Sequence, residues 1–84
     1  MNIRIHPHAQ QRMIERGATR QEVEATIVGG EIFQAKFGRV GFRRNFPVNG
    51  IWRGRRYTTK QMEVYAVEED GWNVITVIVK YFHA

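Results

Sequence analysis

"GATRQEVEATIVGGEIF", residues 17 to 33, contains the change of period that decides the fold of this 84-residue chain. Thr19 followed by Glu22 is a capping-box pattern: the threonine hydroxyl accepts from the Glu22 N–H, and the carboxylate accepts from the Thr19 N–H. A helix is therefore predicted from about Arg20 to Val28, with Val23 and Ile27 on its buried side. Gly29 and Gly30 break it. From Glu31 onward β-branched and aromatic residues take over and apolar side chains alternate, which is the strand period. Helix thus gives way to sheet within this stretch.

Upstream, "HPHAQQRMIERG" at residues 6 to 17 predicts a first helix. Pro7 suits the opening helical position, Gly17 suits the residue just past the end, and Ala9 and Met13 form a narrow apolar stripe. "NIRI" at 2 to 5 alternates and predicts a short edge strand. Downstream, Gly38, "PVNG" at 47 to 50 and "EDGW" at 69 to 72 read as turns. They delimit strands at 31 to 37, 40 to 46, 61 to 68 and 73 to 82, with a further arm at 51 to 57. The last strand, "NVITVIVKYF", is the most continuously apolar and is expected to lie centrally, buried on both faces. The fold class expected is α+β: two N-terminal helices packed on a mainly antiparallel four- to five-stranded sheet, one domain over residues 1 to 84. The helices should cover one face and leave the other to the basic residues.

With 43% hydrophobic and 12% aromatic residues the chain can bury a core. No apolar run approaches the roughly 20 residues that span a bilayer. There is no cysteine and no charged start followed by an apolar segment, so the expected setting is cytoplasmic, without membrane. A net charge of +5 points to an anionic partner, either a phosphate backbone or an acidic protein. Residues 32 to 62 carry Lys36, Arg39, Arg43, Arg44, Arg53, Arg55, Arg56 and Lys60 without one acid. Glu15, Glu22, Glu24 and Glu31 precede this block, and Glu63, Glu68, Glu69 and Asp70 follow it.

"HAQQRMIERGATRQEV", with His8, Ala9, Arg12, Met13, Arg16, Gly17, Glu22 and Val23, resembles the opening of the small bacterial proteins grouped as domain of unknown function 4258. "NVITVIVKYF" fits the same pattern. That family is similar in architecture to the RelE and ParE toxins, small basic domains with N-terminal helices on an antiparallel sheet. The resemblance implies a RelE-like fold and a toxin-like ribonuclease role, held in check by an acidic antitoxin protein.

Metal-independent RNA scission needs a base for the ribose 2′-OH, an acid for the leaving oxygen and cations for the charge that develops on phosphorus. His8 is the natural proton carrier, and Arg12 and Arg16 follow it at steps of four on one helical face. Lys60 is a further phosphate ligand, and Arg43, Arg44, Arg53, Arg55 and Arg56 are the candidate nucleic-acid-binding residues. Each has a plainer reading. His8 can be a solvated helix-start residue, Arg12 and Arg16 can pair with Glu15, Glu22 or Glu24, and the basic block can serve to protect a sheet edge. Phe37, Phe42, Phe46, Trp52 and Tyr57 interleave with the cations, which suits base stacking and equally suits packing. Tyr65 and Tyr81 read as packing. His83 reads as a fraying tail, with proton transfer as its alternative.

His6 and His8 form only an H-x-H pair, so no metal site is expected. "GRVGFRRNFPVNG" lacks the phosphate-loop lysine and its strand-to-helix setting, and the chain has no serine, so neither nucleotide cofactors nor a serine nucleophile are expected. The reading that results is an RNA-binding domain that cleaves RNA without metal, whether or not on the ribosome. The alternatives are a non-catalytic protein-interaction module or a nucleic-acid-binding protein of the same fold.

Overall fold

In the computed structural model, which describes residues 2–83 with the Trp52 side chain excepted, Pro7 opens helix α1 (Pro7–Arg16). The His6 ring accepts from the His8 N–H at its start, and Gly17 closes it at φ 73°. The capping box forms in full, so Thr19 and Glu22 start α2 (Arg20–Gly29). The chain then enters β2 (Glu31–Gln34), β3 (Val40–Trp52), β4 (Arg55–Glu68) and β5 (Trp72–His83); "NIRI" supplies β1 (Ile3–Ile5). The domain is α+β, with two helices and one five-stranded sheet in the order β1-β5-β4-β3-β2. The sheet is mixed: β1 runs parallel to β5, while the other three pairings are antiparallel.

Both helices cover the same face. Ala9 and Met13 of α1, with Val23 and Ile27 of α2, close on Phe42, Met62, Val64, Ala66, Val74 and Val77, and Ile3 and Ile5 complete the core. Phe42 meets Trp72 edge to face at 5.1 Å.

Three expectations are corrected. "PVNG" is not a turn, because β3 runs through it to Trp52 and the register merely shifts between Pro47 and Gly50. Proline supplies no ladder N–H, and a bulge is where a strand tolerates that loss. The turn lies at Arg53–Gly54, so the arm at 51 to 57 is the far end of one long hairpin and β4 begins at Arg55 rather than 61. Second, β2 stops at Gln34, because Phe37 and Gly38 make the tight turn into β3. Third, the final strand is neither central nor buried on both faces. β4 occupies the centre, and β5 buries Val74 and Val77 under the helices while Ile78 stays half-buried on the open side. Its unbroken apolar run reflects a register shift opposite Tyr65 and Ala66, which places Val74 and Val77 on one face at an interval of three.

Candidate functional site

β1 is only three residues long, so beyond Val74 it leaves the outer edge of β5 without a partner strand. The end of α1 lies along that edge. Arg16 donates from Nη1 to the Val77 carbonyl at 2.7 Å, and the Tyr81 hydroxyl donates to the Arg16 carbonyl at 3.2 Å. Between this junction and the far part of the β3–β4 hairpin opens a cleft of about 470 Å³. Its walls are Glu15 and Arg16 from α1, Val48, Gly50 and Ile51 from β3, Tyr57 from β4, and Val79 and Tyr81 from β5.

A polar cluster adjoins the cleft wall at Tyr57. Tyr57 lies 5.8 Å from Tyr81 and stacks on His83 at 5.9 Å with only 12° between the rings. Arg55 Nη1 is 3.2 Å from His83 Nε2. A guanidinium only donates, so as a hydrogen bond this contact makes Nε2 the acceptor and leaves the proton on Nδ1. His83 therefore stands between a phenol ring, Tyr57, and a guanidinium, Arg55, with Tyr81 against Tyr57 beyond it.

Lys60 lies behind this group, buried. Its ammonium donates to the Gly17 carbonyl at 2.6 Å and to Glu22 at 2.9 Å, and lies 5.9 Å from the centre of the Tyr81 ring. Burial alone would raise the Glu22 carboxyl, but Lys60 and the Thr19 N–H outweigh it and hold the group below its ordinary value. Lys60 thus fastens the α1–α2 junction to β4.

The remaining candidates are scattered. His8 is exposed two turns from Arg16, about 12 Å along the axis at 1.5 Å per residue, and does not line the cleft. Arg12 pairs with Glu15 of its own helix at 3.3 Å, not with Glu22 or Glu24. Arg43 points to the face away from the helices, bonded to Glu63 at 2.7 Å and Glu31 at 3.2 Å, over the Phe33 ring. Arg44 is on the helix side, donating to the Ala25 carbonyl at 2.9 Å. Arg53, Arg55 and Arg56 cluster at the end of the hairpin. The basic block therefore does not share one face, because consecutive strand residues alternate. Of the interleaved aromatics, Phe42 is core, Phe37 is exposed and Tyr57 lines the cleft, while the Trp52 side chain lies outside the described residues.

The sequence held one signal for the cleft. Tyr81 and His83 are two apart on an extended strand and so share a side, and β5 pairs with β4 as far as Tyr57–His83, across a register shift between Tyr57 and Thr59. Among the described residues no group of three or more histidine, cysteine or acidic side chains is placed to hold a metal ion, and no helix is long and apolar enough to cross a membrane.

A family model described as "Domain of unknown function (DUF4258)" matches residues 5–79. No curated protein and no solved structure matches the chain.

Proposed function

This chain belongs to the DUF4258 family, and we propose that its cleft binds single-stranded RNA and cleaves it without metal, in the manner of RelE- and ParE-type toxins restrained by an acidic antitoxin. The observation that carries the reading is His83, bonded to Arg55 and stacked on Tyr57, which lines the cleft. His83 Nε2 takes the proton of a ribose 2′-OH once the Arg55 guanidinium has moved from it onto the phosphate. The freed oxygen attacks phosphorus and forms a cyclic phosphate, and the departing 5′-oxygen takes a proton from the Tyr57 or Tyr81 hydroxyl. Arg55 supplies the positive charge that the transition state needs. His8, the proton carrier expected from the sequence, gives way to His83 because it lies two turns from this constellation.

A gel assay on a defined RNA in EDTA, with and without ribosomes, tests the proposal. Wild type and a folded His8→Ala variant are expected to cut, and His83→Ala to lose about 10²- to 10⁴-fold in rate, the usual worth of a general base. If wild type does not cut under either condition, the enzymatic reading falls. The apolar wall of Val48, Ile51 and Val79 then favours the interaction-module reading, in which the cleft receives an apolar side chain of a protein partner.

A further inference from the structure

Phe37 is conformationally anomalous. It sits at the tip of the β2–β3 hairpin with φ 61°, in the left-handed region that bulky residues seldom occupy. The same position, ahead of a glycine of positive φ, is held by Arg53 in the β3–β4 turn and by Asp70 in the β4–β5 turn, so the turn type sets the conformation and Phe37 is the one aromatic residue placed in it. The Phe37 ring is also 87% exposed. Folding gains no burial from this ring, which is left open to a partner.

The ring flanks a hollow of about 230 Å³ on the sheet face away from the helices, which is also lined by Lys36, Arg39, Tyr65, Thr76 and Ile78. Tyr65 and Thr76 are register partners across β4 and β5, and their hydroxyl-bearing side chains form the floor. Lys36 and Arg39 stand at the rim, and among the described residues neither has an acidic partner within ion-pair distance. Arg39 lies 5.9 Å from the centre of the Phe37 ring. One open aromatic face, two unneutralised cations and two hydroxyls thus surround one space. That space is smaller than the roughly 300–1,000 Å³ of pockets that enclose drug-sized ligands.

We propose that this hollow is a second binding site, separate from the cleft, that takes a single nucleotide. The base lies against Phe37, the phosphate sits between Lys36 and Arg39, and the hydroxyls of Tyr65 and Thr76 meet the sugar. The same chemistry is offered by a free nucleotide and by one unit of an RNA single strand. The site is on the opposite face of the sheet from His83 and does not depend on cleavage at the cleft.

Titration of the full chain with AMP, with an adenylate tetramer and with inorganic phosphate, followed by amide chemical shifts, tests it. AMP is expected to shift residues 35 to 39, 65 and 76, and to bind more tightly than phosphate alone. Phe37→Gly should keep or raise the denaturation midpoint, since glycine adopts the positive φ freely, yet weaken AMP by about five- to 150-fold, the worth of one stacked base. The double variant K36Q/R39Q should weaken AMP and flatten its salt dependence. A tetramer that binds more tightly than AMP identifies the strand as the natural source, and equal affinity identifies the free nucleotide. The proposal is overturned if F37G binds AMP as wild type does, if phosphate binds as tightly as AMP, or if neither AMP nor the tetramer shifts these residues. RNA cleavage by the F37G protein is scored separately, so a failed cleft and a failed hollow give different results.

Discussion

Lys60 owes its burial to the groups around its ammonium: the last carbonyl of the α1 cap, the capping-box carboxylate and an aromatic ring. The capping box was legible because its two members are three residues apart in the sequence. The role of Lys60 was not, because it depends on β4 passing beneath Gly17, which is 43 residues away in the chain. Removing the amine leaves the Gly17 carbonyl without its side-chain donor and the half-buried Glu22 carboxylate with the Thr19 donors but no cation. Lys60→Ala is expected to cost about 3 kcal/mol, the lower end for breaking a buried pair, as read by urea denaturation. The same pair sets a pH dependence. Glu22 titrates lower in the folded chain than in the unfolded chain, so its stabilisation is complete above the ordinary value of 4.5 and is lost as pH falls through the folded value. Denaturation midpoints taken down to about pH 3 should fall less steeply in Glu22→Gln than in wild type.

At the scale of elements, local signals succeeded where the information was local. The helices, their caps and the Asp70–Gly71 turn all followed from residues within a few positions of one another. The strands failed where neighbours decide. "PVNG" has turn composition, yet the pairing of β3 with β4 on both sides carries the strand across it with a bulge. In β5 the apolar run could not reveal that helices cover only one of its faces. That correction can be tested: Val77, fully buried, and Ile78, half-buried on the open face, are adjacent and chemically similar. Val77→Thr places an unpartnered hydroxyl in the core and should cost about 1–3 kcal/mol. Ile78→Thr should cost about 1 kcal/mol or less, as for a substitution outside the core, and equal losses by denaturation would return β5 to a position buried on both faces.

At the scale of the whole molecule, the excess of positive charge was legible but its distribution was not. Arg43 is spent on Glu63 and Glu31, which raise its already high affinity for a proton, the hydrogen bond to Glu63 foremost. Arg55 and Arg56 stand at the outer end of the hairpin, on the block of sequence that has no acid. RNA affinity measured against salt should separate the two kinds. Arg56→Gln should lower the slope of log K on log salt by about 0.7, one phosphate contact on a single strand, while Arg43→Gln should leave the slope unchanged. His83 was hidden for the related reason that only the complete sheet carries β5 back beside Tyr57. The parallel pairing of Ile3–Ile5 with Trp72–Val74 has a temporal consequence. Chain synthesis releases Ile3 69 residues ahead of its partner Trp72, so β1 is without its partner strand until β2, β3 and β4 have emerged. Until then the core lacks Val74 and Val77, while Phe42, Met62, Val64 and Ala66 are already present. The cleft wall of Val79 and Tyr81, the stack of His83 on Tyr57 and the pairing of β1 all depend on β5, so they form with the same strand, across the longest separation in the sheet.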